Sequence, residues 1–215
     1  KGVLIIEDPS LLKCLQNLAY DQFYCEHIYV FSTLALREVL KSFKLEIFDV
    51  ENTKTHGGSN RYYIKKNINS LYKISNRVKI EIKKELHFGI NKFSTYQTFA
   101  KKVKISKNKL LKIFSSLSKK KLRIVGYGAT AKSCTVLNYC GLGKSDIKYF
   151  YDTTSYKVNK YLPGSKILIK KYKKLNRKEI DVAFLGAWNF KKEILKKEKQ
   201  FIKSGGKFIT HVPYP

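Results

Sequence analysis

Apolar positions in this chain come in short blocks, and the spacing within the blocks switches between strand-like and helix-like in a regular order. Val3 to Ile6 is a short apolar run closed by Glu7-Asp8-Pro9, the pattern of a buried strand that ends in a loop. A helix is expected to follow through Leu18. After the segment DQFYCEHIYVF, Ser32 is a candidate N-cap for a second helix with Leu36, Val39, Leu40 and Phe43 on one face. LEIFDVE (45–51) and NRYYIKK (60–66) alternate as strands, joined by a loop that holds Thr55-His56-Gly57-Gly58-Ser59. Residues 67–120 are helical in pattern and rich in Lys, with no Pro and Gly89 as their one glycine. KLRIVGYGATAKSCTVLNYCG then opens a second unit, an apolar strand that turns through glycines into a helix. The strands IKYFYD (147–152), KILI (166–169) and DVAFLG (181–186), a helix over about 190–204 and the strand KFITHV (207–212) complete it.

The fold class is α/β, and strands alternating with helices in the second unit predict a mainly parallel, doubly wound sheet there. The expected divisions are 1–66, the tail of an α/β domain, then a helical connector over 67–120, and a second α/β domain over 121–215. There is no Met, and an apolar strand begins at the third residue, so the sequence is expected to start inside a domain.

The net charge of +28 points first to a nucleic acid or an anionic membrane. Arg37, Arg61, Arg77, Arg123 and Arg177 are the only arginines among 44 basic residues, and the bidentate fork that specific nucleic-acid contacts favour is therefore scarce. Lys on solvated faces is the simpler reading, and neither nucleic acid nor membrane is expected as a partner. No apolar run approaches the roughly 20 residues that cross a bilayer. Cys14, Cys25, Cys134 and Cys140 lack both C-x-x-C spacing and the density of a disulfide scaffold, which predicts a reducing cytoplasm and no metal site.

Four constellations are candidates for chemistry. Gly126-Tyr127-Gly128-Ala129-Thr130-Ala131 fits the G-x-G-x-x-G/A turn in its strand-to-helix context, with Lys132 as a cation beside it. Asp152 ends the next strand, where that fingerprint places an acid for a ribose hydroxyl. Tyr24-Cys25-Glu26-His27 gathers a phenol, a carboxylate and an imidazole ahead of a helix; the imidazole suits proton removal at neutral pH, and packing and capping is the competing role. His56, Gly57, Gly58 and Ser59 form either a plain turn or a loop that a substrate can approach closely. Trp188, just past an apolar strand, is a core residue or a ligand wall.

In this order and spacing the pieces resemble the S-adenosylmethionine-dependent sugar C-methyltransferases that modify a nucleotide-linked 4-keto-deoxysugar. The resemblance rests on YCEHIYVFSTLALREVL, FDVENTKTHGGSNRYYI, RIVGYGATAKSCTVLNYCG, YKVNKYLPGSKI, AWNFKKEI and SGGKFI, which span nearly the whole chain. It implies the end of a Rossmann-like methyltransferase domain followed by a C-terminal Rossmann-like domain. Zinc and most of the S-adenosylmethionine site would belong to complete family members, outside these residues. The resemblance makes His27 the candidate base, with Glu26 orienting it or sharing its role and Tyr24 donating to an enolate oxygen. Gly126, Gly128, Ala131, Lys132 and Asp152 would hold the nucleotide, and His56, Gly57, Gly58, Ser59, Tyr161 and Trp188 would line the substrate pocket. Where the family reads Val-Pro-Tyr, this chain has Asp8-Pro9-Ser10. A nicotinamide-dependent oxidoreductase is the alternative from the glycine turn and Asp152, and a basic binding module without chemistry is a third.

Overall fold

The computed structural model describes residues 2–215, which form two compact units. The first comprises residues up to Ala19 together with Cys25–Lys101, the second Tyr20–Tyr24 together with Lys102–Pro215.

In the first unit the order is β1 (Leu4–Pro9), α1 (Leu11–Gln16), α2 (Thr33–Ser42), β2 (Leu45–Thr53), β3 (Ser59–Lys66), α3 (Asn76–Phe88) and the start of α4 (Phe93–Lys119). The three strands are ordered β1-β3-β2 and pair antiparallel, unlike the parallel strands of the second unit. The reason is local: a short loop joins β2 to β3, and such a link closes a hairpin, whereas a parallel pair needs a crossover of a dozen or more residues.

The core of this unit joins Leu36 and Leu40 of α2 to Ile47 and Val50 of β2, Tyr62 and Ile64 of β3, and Val78 of α3. α3, expected in a connector, therefore packs on the sheet. Each such aliphatic side chain taken out of water contributes about 1.5–3 kcal/mol. Ser32 caps α2 as expected, its Oγ accepting from the Ala35 N–H at 3.1 Å. Glu85 of α3 adds a second cap, accepting from the Thr33 N–H at 2.6 Å and the Leu34 N–H at 2.9 Å. Those amides lack partners within their own helix, so the buried carboxylate meets groups that need an acceptor.

Three expectations for this unit change. Val39 and Phe43 are exposed, because only Leu36 and Leu40 face the sheet. β1 is apolar but not buried: Leu4 and Ile5 are 47% and 56% exposed, since β1 is an edge strand paired with β3 alone. α1 ends at Gln16, short of Leu18, whose φ of 52° lies in the left-handed region and cannot continue a helix.

The second unit contains the rest of α4 and then β4 (Ile124–Tyr127), α5 (Ala131–Cys140), β5 (Phe150–Asp152), β6 (Ile169–Lys171), β7 (Val182–Leu185), α6 (Lys191–Lys197), α7 (Lys199–Lys203) and β8 (Lys207–Ile209). Its five strands are parallel in the order β6-β5-β4-β7-β8. Chain order runs outward on both sides of β4, which makes the carboxyl ends of β4 and β7 a topological switch point. β4 and β7 are buried along their whole length, as the unbroken apolar runs predict for a covered parallel sheet.

The helix expected over about 190–204 is broken at Glu198. The Glu198 carboxylate is fully buried and accepts from Tyr172 Oη at 2.5 Å, Tyr127 Oη at 3.2 Å and the Leu175 N–H at 3.1 Å. Turning the chain inward there satisfies a charge that would otherwise be stranded. The strand expected at 166–169 begins only at Ile169, because Lys166 has a φ of 54° and Leu168 bridges back to Tyr161. Among the described residues no helix is long and apolar enough to cross a membrane.

Candidate functional site

The first unit brings two of the sequence-predicted constellations together. β1 ends in Asp8-Pro9, and its register against β3 sets Pro9 opposite Ser59, so the strand end lies beside the turn that joins β2 to β3. That turn is left-handed through three residues, with φ of 53° at His56, 88° at Gly57 and 130° at Gly58. Gly58 needs its missing side chain twice over: a Cβ there would be strained and would lie 2.8 Å from Lys13 Cγ. The turn is tied down by Ser10 N–H donating to the Gly58 carbonyl at 3.1 Å and by Asn17 Nδ2 donating to the Gly57 carbonyl at 3.3 Å. Ser59 is buried, and its hydroxyl donates to the Thr55 carbonyl at 3.1 Å, closing the same turn.

The ring of His56 meets the ring of His27 edge-on, with centroids 5.8 Å apart and planes at 78°. His27 Nδ1 lies 3.6 Å from Asp8 Oδ1, and the His27 side chain is only 13% exposed. Burial raises the Asp8 carboxyl above its ordinary value, and the charges of His27 and His56 act in the opposite direction. Glu26 and Cys25 are exposed. The carboxylate found beside His27 is thus Asp8, which sequence reasoning did not place in the site. Tyr24 is partly buried and belongs to the second unit. Among the described residues no group of three or more His, Cys, Asp or Glu side chains is arranged to hold a metal ion.

In the second unit the glycine turn sits at the switch point, as expected from its strand-to-helix context. Its glycines are filled from inside the protein. A Cβ on Gly126 would lie 2.3 Å from the Phe150 ring, and one on Gly128, whose φ is 85°, would lie 2.8 Å from Ala187 Cβ. The Asp152 carboxylate accepts from the Ala129 N–H at 2.8 Å and the Thr154 N–H at 2.8 Å. Thr130 and Ser133 close a capping box at the start of α5, of which Ala131 is the first residue. Internal packing and hydrogen bonds therefore explain this turn's sequence without a ligand.

A cavity of about 400 Å³ opens beside the turn, with Gly128, Thr130, Asp152, Lys157, Tyr172 and Lys197 in its lining. Lys157 Nζ donates to the Ala129 carbonyl at 2.9 Å, and Lys197 Nζ stands 3.7 Å over the Tyr172 ring. Both are cations at the cavity, and neither is singled out as a site residue from the sequence, although Lys157 lies within the YKVNKYLPGSKI stretch.

Lys132 is buried with its ammonium 5.4 Å from the centroid of the Trp188 ring, while Tyr161 is exposed. Trp188 Nε1 donates to Asp21 Oδ2 at 2.6 Å. Asp21 and His211 are both fully buried, and His211 Nε2 lies 2.9 Å from the same oxygen but off the line of a directed hydrogen bond. Trp188 is therefore an internal anchor for the Tyr20–Tyr24 segment.

The sequence profile of the C-methyltransferase C-terminal domain matches residues 54–213. That span includes the His56 turn and the whole parallel sheet. The chain is also 31% identical over 214 residues to the C-methyltransferase NovU of Streptomyces niveus, a match that takes in 100% of this chain and 51% of that protein. The chain thus spans about half the length of the curated relative it matches, and its Tyr24-to-His27 stretch falls within the matched region. With a parallel five-stranded sheet and a profile match over most of its length, the chain belongs to the C-methyltransferase C-terminal domain family.

Proposed function

We propose that the chain forms part of an enzyme that moves a methyl group from S-adenosylmethionine to the carbon beside the ketone of a nucleotide-linked keto-deoxysugar. The observation that carries the reading is the meeting of His27 and His56 in one unit: the motif suited to proton removal and the loop suited to a sugar come together. Family membership supplies the reaction class.

The chemistry needs three acts from the protein. A base takes the α-proton, and the C–H electron pair passes through the carbon to the ketone oxygen, forming an enolate. The enolate is steadied by a hydrogen-bond donor, and its carbon is held where the methyl group that S-adenosylmethionine would supply can be aligned with it. His27 is the base, enclosed enough to exclude most water. The nucleotide is assigned to the cavity of the second unit, where Lys157 and Lys197 offer charge to a diphosphate and Tyr172 offers a ring face. No residue of this chain is assigned to the methyl donor. The oxidoreductase alternative is disfavoured because the acid it needs for a ribose, Asp152, already accepts two backbone amides.

The test is solvent deuterium exchange at the sugar carbon, followed by NMR on a thymidine-diphosphate keto-deoxysugar incubated with the chain in deuterated buffer without methyl donor. Exchange that drops by roughly 100-fold or more in His27→Asn is the expected result, the usual scale for loss of a general base. Exchange at the uncatalysed rate with the wild-type chain overturns the reading.

A further inference from the structure

The carboxylate beside His27 comes from a position that matches no motif. Asp8 is the last but one residue of β1, and the strand register against β3 holds its backbone opposite Asn60. Asn60 is itself fixed, fully buried and donating through Nδ2 to Tyr62 Oη at 3.1 Å. The Asp8 side chain therefore projects from a backbone that the sheet fixes, next to a loop that carries His27. A rigid strand end is the better place for a residue whose task is to aim another. Glu7, one residue earlier, points elsewhere: it pairs with Arg61 at 2.7 Å and accepts from Thr55 at 2.7 Å.

We propose that Asp8 is the positioning residue for His27, its carboxylate holding the imidazole proton on Nδ1 so that Nε2 carries the lone pair that takes the substrate proton. A carboxylate 3.6 Å from Nδ1 favours the tautomer protonated there over the one that would turn a lone pair toward it. When Nε2 forms its new N–H bond, the C–H pair stays with the substrate as the enolate and the imidazole becomes an imidazolium. The positive charge then faces an existing negative one, which lowers the energy of the charged intermediate state. His56 lies edge-on to His27, and the charge of Glu7 is engaged by Arg61. The inference rests on the reading of His27 as the base, and it adds a residue that departs from the family's usual pattern at this strand end.

Nitrogen NMR of the ¹⁵N-histidine-labelled chain tests the pair without any substrate. Neutral His27 is expected as the Nδ1–H tautomer in the wild type, with that preference lost in Asp8→Asn and Asp8→Ser and retained in Glu26→Gln. His87, exposed on α3 of the same unit, serves as the internal reference that the variants are folded. Carbonyl NMR adds the reverse view: removal of His27 by His27→Asn takes away an opposing charge, so the Asp8 carboxyl should titrate still higher. A His27 tautomer unchanged by Asp8→Asn, or changed only by Glu26→Gln, overturns the proposal. In the exchange assay Asp8→Asn should slow α-proton loss about tenfold, the scale of one unit of differential interaction between the two protonation states. Normal exchange in Asp8→Asn sinks the proposal and leaves His27 as base. A tautomer that follows Asp8 in a chain without exchange leaves the carboxylate–imidazole pair standing and removes the base reading.

Discussion

The buried contact of Asp21 with Trp188 and His211 gives the sharpest energetic expectation. Asp21 accepts the indole N–H at 2.6 Å and faces His211 Nε2 at 2.9 Å, with both Asp21 and His211 fully buried. A hydrogen bond to a charged acceptor contributes about 1.5–3 kcal/mol, and removing one member of a buried pair costs about 3–5 kcal/mol because the other is left uncompensated. The network is not ideal: Asp21 Oδ1 and His211 Nδ1 have no hydrogen-bond partner among the described residues, which offsets part of the gain. Asp21→Asn should therefore destabilise the second unit by about 2–4 kcal/mol. Trp188 is the chain's only tryptophan, so its emission during urea unfolding follows that unit specifically. The native emission maximum should also move to longer wavelength if the segment carrying residue 21 loosens. Adding Trp188→Phe and the double variant, followed by circular dichroism, completes a cycle whose coupling should be at least about 1 kcal/mol. Coupling of less than about 0.5 kcal/mol, with unchanged native emission in Asp21→Asn, would show that the contact is incidental and that Trp188 does not anchor the segment.

Two glycines separate steric from conformational cost. Gly126→Ala should lower stability by about 3 kcal/mol through overpacking, because its Cβ lies 2.3 Å from the Phe150 ring, whereas Gly141→Ala, with φ of 71° and nothing within 4 Å, should cost only about 1–2 kcal/mol; thermal melts in the reverse order refute this. Arg123 and Arg177 hold the Asp181 carboxyl below its ordinary 3.8. A depressed acid stabilises above its unfolded value and loses that contribution as pH falls, so the urea-midpoint gap between wild type and Asp181→Asn should be wide at pH 7 and shrink below about pH 4. Glu85 behaves oppositely, since burial raises its carboxyl above 4.5. A raised acid favours the folded state below its unfolded value and loses that contribution as pH rises past it, so Glu85→Gln should gain stability relative to wild type as pH rises above 4.5; a flat difference would refute the assignment.

How much of the fold was legible depended on whether the deciding force was local. β2, β3, β4 and β7 lie where alternation or unbroken apolar runs put them, because strand period is set by which faces are covered. α2 begins at Thr33 behind Ser32, because a cap is a contact between residues three apart. The misses share a cause at longer range. Val39 and Phe43 look like core on a helical wheel, yet the wheel cannot say that the sheet meets only the Leu36–Leu40 stripe. The Lys-rich stretch over about 190–204 reads as one helix, and the break is dictated by Glu198, whose partners Tyr127 and Tyr172 are distant in sequence.

The same distinction separates the legible and illegible parts of the candidate site. His27 and His56 were both singled out by residue type, and only the fold could show that they touch, since 28 intervening residues separate them. Asp8 carried a weaker signal: an acid where the resembling family has an apolar residue. Its relevance depends on the β1–β3 register and on the loop returning past the strand end, neither of which has a sequence period. The glycine turn is legible in two ways. A G-x-G-x-x-A string records three places where side chains are missing or small, and a phosphate and a neighbouring ring impose that demand equally. Phe150 against Gly126 and Ala187 against Gly128 impose the packing demand at those two positions, and Asp152 takes the amide of the residue between Gly128 and Thr130. Whatever anion the cavity receives must therefore be held chiefly by side chains that arrive from elsewhere. Lys157 and Lys197 are the cations in its lining, so removing either should weaken nucleoside-diphosphate binding more than Gly128→Ala does once the folded fraction is equal.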